Sequence, residues 1–224
     1  GNYWLPIYHV LEGSVNFILA NAYQIKHIPG RKTDSLDSEW IAELCLKNLI
    51  SPSRIFTKDH RELRSLTRAR ESLIKIRTKI KNRVTHELEA ACIKLSSVIA
   101  DVFGKSGRHI VDGLLNGMDL EKILESIPSG RVRKNKEEIR GIIQANLSSS
   151  QIFLLRSHLN MIDAVTKQIQ EIDAKISDQI SLRNEDMRIA LSMPEMGFIS
   201  GSTILARIGD YRDFGSPDGR IAEA

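Results

Sequence analysis

Asp34 and Asp37 are the residues best placed to do chemistry. They stand three apart in Arg31-Lys32-Thr33-Asp34-Ser35-Leu36-Asp37, at the start of a helical pattern, which puts both carboxylates on one helix face. Such a pair can supply oxygen ligands to a divalent ion such as Mg²⁺. Two ions about 3.5–4 Å apart can stabilise the attacking and leaving oxygens of phosphodiester chemistry. The same spacing suits an ordinary helix start, with Asp34 as N-cap and Asp37 at N3, where negative charge complements the helix dipole. Spacing alone leaves both readings open.

A second candidate is a run of cations. Between Arg54 and Arg83 there are 11 Lys/Arg against 3 Asp/Glu, a local excess of eight, whereas the whole chain carries only +4. At 100° per residue Arg61, Arg64, Arg68, Lys75 and Lys79 fall on one side of a helix, opposite a leucine stripe. A line of cations can track a phosphate backbone, whose neutralisation releases counterions and drives affinity. Arg70 and Arg77 fall on the apolar side, where snorkelling or a partner's phosphates would satisfy them. The bland alternative is a solvated helix face, but such faces mix signs, and Glu62 and Glu71 are the only acids among nine bases from Arg61 to Arg83. A third candidate, the glycine turn at Gly197 and Gly201, is similar to half of a helix-hairpin-helix, whose helix start can hold a DNA phosphate. It reads equally well as a tight interhelical turn.

Other reactive residues add little. The histidines (His9, His27, His60, His86, His109 and His158) do not pair at metal-ligand spacing. Cys45 and Cys92 lack CxxC spacing and read as buried hydrophobes in a reducing compartment, the cytoplasm. Ser148–Ser150, Ser200 and Ser202 read as helix caps, and no nucleotide-binding or hydrolase fingerprint occurs.

These residues must be carried by elements the pattern implies. With 224 residues, 42% hydrophobic and only 5% aromatic, a core built from Leu, Ile, Val and Ala favours helices. No apolar run approaches the ~20 residues of a membrane span, and no signal peptide opens the chain. Residues 1–53 read as mixed α/β: a helix over Tyr3–Leu11, a buried strand over Val15–Ala20, a turn or short helix from Asn21 to Ile28, and a helix over Asp34–Asn48. Residues 54–193 read as a helical domain. One helix runs from Asp59 to Val102 along Leu63, Leu66, Leu73, Ile80, Val84, Leu88, Ala91, Leu95 and Val98. A second runs from Ser149 to Met193 along Ile152, Leu155, Leu159, Ile162, Ile169, Ile172, Ile176 and Ile180. Matching seams with roughly 50 residues between them predict an antiparallel coiled coil. The insert would hold helices over His109–Leu115, Leu120–Ile127 and Glu137–Ala145, plus a basic loop, Arg131–Lys136. From Pro194 to Ala224 the texture changes to a glycine turn entering a helix, the start of another domain. Gly1 is no start methionine and the chain stops within an apolar-periodic pattern, so the sequence reads as a fragment.

Three passages together resemble a family: the insertion-sequence transposases with an N-terminal DEDD RuvC-like domain, the IS-one-ten group, also described as bridge-RNA-guided DNA recombinases. Gly1-Asn2-Tyr3-Trp4, with Pro6 and Tyr8, is similar to the segment after that family's second acidic residue. Lys32-Thr33-Asp34-Ser35-Leu36-Asp37 matches its K-T-D-x-x-D motif, followed by a helix and then a long basic helix near Glu62-Leu63-Arg64. Pro194 to Phe214 resembles the opening of its C-terminal transposase domain, with Glu195 where the family usually has glycine in a P-G-x-G turn.

The resemblance implies a RuvC-like (RNase H-like) α/β remnant at 1–53, an antiparallel coiled-coil domain at 54–193 and the start of an α-helical transposase domain at 194–224. It implies that Asp34 and Asp37 are the third and fourth members of a Mg²⁺-binding DEDD site, catalytic and metal-ligating. The first Asp and the Glu would lie upstream of Gly1, and the nucleophilic serine beyond Ala224, so the fragment alone would be inactive. It also implies DNA as substrate, a guide RNA as partner, strand cleavage and exchange for transposition as the reaction, and a dimer or tetramer as assembly. Lys32, Arg61, Arg64, Arg68, Arg70, Lys75, Arg77 and Lys79 are the expected nucleic-acid contacts. A rival class is a non-enzymatic helical nucleic-acid-binding or assembly protein, with both aspartates as plain caps. A second enzymatic reading is a two-metal RuvC-like nuclease without serine chemistry.

Overall fold

The computed structural model describes residues 3–27, 37–143 and 147–210. The chain forms two compact units, residues 1–58 and 59–224.

The first unit is built from short helices: α1 (Trp4–Leu11), α2 (Ala22–His27) and α3 (Asp37–Leu46). Trp4 and Phe17 each meet the Tyr8 ring edge-on, at 5.6 and 5.3 Å between centroids. Asn48 ends α3 in the left-handed conformation, with Leu49 N–H reaching back to the Leu44 carbonyl at 2.9 Å. Asparagine tolerates that backbone better than most residues.

The strand expected over Val15–Ala20 does not form. The segment is irregular, Val15 and Ile18 are 53% and 44% exposed, and Ala20 makes a single bridge to Pro52. Proline has no N–H to extend a ladder, and the adjoining bond, Ser53 N–H to the Leu19 carbonyl, stands alone beside it. β-Branched composition gives a segment strand propensity, but a strand needs a partner edge to bond to. Among the described residues the protein is mainly helical with no strand.

The second unit is organised by two 33-residue helices, α4 (Lys58–Ala90) and α9 (Ser149–Ser181). They run antiparallel. Glu62 accepts from Gln179 at 3.3 Å, Arg70 donates to Asp173 at 2.5 Å, and Arg77 donates to Thr166 at 3.4 Å. Each step forward on α4 is answered by a step back on α9. Between these polar pairs the expected seams meet: Leu63, Ile80, Val84 and Leu88 of α4 are buried, as are Leu155, Leu159, Ile162, Ile169, Ile176 and Ile180 of α9. Each such side chain contributes about 1.5–3 kcal/mol when fully buried. Ser148 caps α9, in a capping box completed by Gln151, whereas Ser149, Ser150, Ser200 and Ser202, expected as caps too, lie inside helices.

Both long helices are shorter than their apolar stripes. α4 stops at Ala90, not Val102. Cys92 takes a left-handed φ of 59°, its N–H bonds the Glu89 carbonyl, and the Ile93 N–H bonds the Leu88 carbonyl at 2.8 Å. This is a Schellman ending made without glycine, with Ile93 and Leu88 sharing the core as its apolar contact. A 3₁₀ turn at Leu95–Ser97 then carries Leu95 and Ile99 into the same core, so periodicity survives where the helix does not. Cys92 is therefore exposed at a turn, and Cys45 half-buried; neither is the buried hydrophobe expected. The second helix likewise breaks after Ser181. Leu182 is 85% exposed, and a separate helix, α10 (Asn184–Leu191), follows.

The insert between α4 and α9 folds as α5 (Lys105–Leu115), α6 (Leu120–Glu125), α7 (Gly130–Arg133) and α8 (Lys136–Ile142). It packs on the C-terminal end of α4 and the N-terminal end of α9 through Ile110, Ile123, Leu124, Ile127 and Ile139. Gly107 permits the tight entry into α5: a Cβ there would lie 2.3 Å from the Val102 carbonyl oxygen. At the opposite end of the hairpin a smaller core joins Leu63, Ile176 and Ile180 to Met187 and Ala190 of α10 and to Leu205 and Ala206 of α11 (Phe198–Ile208). Gly201 lets α11 approach α10, since a Cβ would meet Met187 Sδ at 3.1 Å. No helix among the described residues is long and apolar enough to cross a membrane.

Candidate nucleic-acid interface

The cations of α4 divide by face. Arg68, Lys75 and Lys79 are exposed, while Arg61 and Arg64 are half-buried. Arg70 and Arg77 turn toward α9. Arg70 is bound by both Asp173 oxygens (2.5 and 3.4 Å), and Arg77 by the Thr166 hydroxyl. These two side chains fasten the helix pair, which the sequence had left between snorkelling and a partner's phosphates. Lys75 bonds Glu71 one turn earlier at 2.6 Å.

Electrostatics mark one part of this face. Burial, and then the fields of Arg68 and Arg207, push the Arg64 guanidinium below its ordinary value. The bond to Lys75 and that cation's charge hold the Glu71 carboxyl low, and Arg207 and Arg68 pull it further. Arg207 is exposed in the last turn of α11. It was not among the expected contacts, and no spacing rule links it to a helix 139 positions earlier. Its neighbours Leu205 and Ala206 share the small core with Leu63.

Elsewhere in the unit Arg108, Arg133 and Arg156 are engaged within the chain. Arg108 takes hydrogen bonds to Asp112 (3.0 Å) and Asp163 (2.8 Å). Burial works against its charge, but these two carboxylates outweigh it and raise the guanidinium above its usual value. Arg133 donates to the Ile127 carbonyl at 2.6 Å, and Arg156 to the Leu115 carbonyl and Asn116. The expected basic loop is therefore part helix, with one of its arginines spent on the backbone.

The acidic pair cannot be placed in the same way. Lys32 and Asp34 lie outside the described residues. Asp37 opens α3, but the pairing of the two carboxylates also lies outside what is described. Among the described residues no three His, Cys, Asp or Glu side chains come together as a group able to hold a metal ion.

Comparison with known proteins sets the class first. Residues 1–93 match a family model described as Transposase. The model is that of the DEDD transposases of the IS110 (IS-one-ten) group, and over that segment the chain is similar to it. The match covers the first unit and α4 through Ile93, the residue that closes its C-terminal turn. It includes the K-T-D-x-x-D passage and every expected cation of α4. No curated protein and no solved structure matches the chain.

Proposed function

We propose that this chain is part of a DNA transposase that cleaves and exchanges strands during insertion-sequence transposition, with α4 as a nucleic-acid-binding helix. The observation carrying the reading is the match of residues 1–93, whose sequence holds an acidic motif suited to phosphodiester chemistry and, after it, a helix with Arg68, Lys75 and Lys79 exposed. In this reading residues 1–53 belong to a RuvC-like α/β domain and 54–193 form a helical arm. Residues from 194 onward open a further transposase domain, where the serine nucleophile of the family would reside. Asp34 and Asp37 are the carboxylates that would hold Mg²⁺, which would stabilise charge on the reacting phosphate. DNA is the substrate, a guide RNA the second nucleic-acid partner, a homo-oligomer the working form, and the cytoplasm the setting.

Two experiments test the two halves. In the full polypeptide carrying this sequence, Asp34→Asn and Asp37→Asn abolish excision and insertion of a marked element on a plasmid while leaving DNA binding intact. Unchanged transposition in either variant removes the metal role and leaves the aspartates as caps. For the arm, reversing Arg61, Arg64 and Arg68 to Glu weakens DNA or RNA binding and flattens its salt dependence. A helix that merely faces water shows neither effect.

A further inference from the structure

We propose that the cleft between α5 and α9 holds one unpaired nucleobase of a single-stranded nucleic acid, read by Asp112 and Asn160 from its two walls. The proposal rests on the nucleic-acid reading above for the class of partner. It adds a site in the insert, outside the matched residues 1–93.

Two arginines frame the cleft. Arg108 of α5 donates to Asp163 of α9 at 2.8 Å. Arg156 of α9 donates back to the Leu115 carbonyl at 2.8 Å and to Asn116 Oδ1 at 2.9 Å. These bridges stand about 10 Å apart along either helix. Between them lies a cavity of about 230 Å³, to which the buried Leu115 and Leu159 give an apolar lining. Asp112 stands one turn beyond Arg108, and Asn160 one turn beyond Arg156. One line of each helix therefore brings a polar side chain to the cavity between the bridges.

This lining selects its ligand. Drug-sized ligands and cofactors occupy about 300–1,000 Å³, so the space suits a single flat ring system. Its charges cancel: Arg108 and Arg156 stand against Asp112 and Asp163, and Arg108 bonds both carboxylates. A phosphate would meet the Asp112 carboxylate and find Nη2 of Arg156 already spent on α5. A neutral group meets no such conflict. Hydrogen bonding of both kinds remains. The Asp112 carboxylate accepts, the Asn116 amide nitrogen and the other nitrogens of Arg156 donate, and the Asn160 amide does both. Asn160 is exposed, and its amide bonds nothing among the described residues. Unpaired bases are recognised by this combination, a surface for the ring face and polar groups for its edge. Guanine carries adjoining N–H donors and a carbonyl acceptor on one edge, which suits a carboxylate set beside donors.

The test is a titration of the 224-residue chain against abasic sugar–phosphate strands carrying one central base, each of the four in turn, and against the same strand with none. Ribose and deoxyribose versions of the central nucleotide identify RNA or DNA as the source. The variants are Asn160→Leu, which keeps the volume and removes the amide, Asp112→Asn, and Arg68→Gln on α4 as a phosphate-side control. The wild-type chain is expected to bind the guanine strand about tenfold tighter than the bare strand. Asn160→Leu should lose most of that preference, with bare-strand affinity, salt dependence and thermal midpoint unchanged. Asp112→Asn, which adds a donor, should shift the preference away from guanine. Arg68→Gln should weaken every strand alike and lower the slope of log affinity against log salt by about 0.7, with the base preference intact.

Equal affinity for all five strands overturns the proposal. So does an Asn160→Leu chain that keeps the wild-type preference or loses bare-strand affinity in equal measure, and so does a preference that Asp112→Asn leaves unmoved. An unchanged salt slope in Arg68→Gln overturns the α4 reading and leaves the cleft standing. A chain that binds no strand overturns both.

Discussion

The two ends of the helical unit use arginine in opposite ways. At the insert end, Arg108, Arg133, Arg140 and Arg156 each find oxygen. Arg108 lies between Asp112 and Asp163, Arg140 between Glu121 and Glu137, and Arg133 and Arg156 reach backbone carbonyls. At the other end the charges of Arg68 and Arg207 act on Arg64 and Glu71, and Glu71 bonds Lys75. One end matches four of its forks with acceptors within the chain. The other leaves Arg68 and Arg207 exposed. The residue type is the same, and the supply of carboxylates decides whether it builds structure or awaits a partner.

Substitutions can break this contrast, beginning with the largest effect. Gly107→Ala should cost about 3 kcal/mol in urea unfolding, since its Cβ would meet the Val102 carbonyl at 2.3 Å and backbone must move. Unfolding that is unchanged would mean the insert is not packed as described. Arg108→Met strands two carboxylates and should cost about 1 kcal/mol, a modest figure because the partners are partly in water. Arg68→Gln, at the opposite end, should cost nothing. If the two arginine variants destabilise equally, the contrast between the ends is wrong.

Smaller effects sharpen the picture. Glu195 holds a left-handed φ of 62°, a conformation glycine adopts without strain. Glu195→Gly should raise stability by about 0.5 kcal/mol, the relief of left-handed strain less the entropy glycine loses on folding. A drop in thermal midpoint would show that the turn takes another path. Smallest of all, Glu71→Gln removes the carboxylate from the cationic end and should tighten nucleic-acid binding slightly, most visibly at low salt. Weaker binding would place Glu71 in the interface as a positioning group instead.

Much of the helical unit was legible because helical burial leaves a period. The stripes on α4 and α9 identified the seam, and the polar pairs at Glu62, Arg70 and Arg77 supply its antiparallel sense. The errors share a cause. Leu95 and Val98 extended the α4 stripe past its true end because apolar residues mark burial and not backbone path. Nothing in the identity of Cys92 announces a left-handed turn. Val15–Ala20 had strand composition but no ladder to join. The K-T-D-x-x-D passage was legible as a short local motif, whereas Arg207 was not, since its neighbours come from another helix.

Local chemistry, then, is what the chain's letters determined unaided: which stretches coil into helices, which faces are apolar, where positive charge concentrates, and the acidic motif that ties residues 1–93 to DEDD transposases. Those properties depend on residues within a turn or two of each other. Tertiary packing alone decided where the long helices stop and which arginines are spent on Asp173, Asp112 and Asp163. Partners distant in sequence meet only once apolar surfaces have closed, and electrostatic neighbourhood is set by that closure.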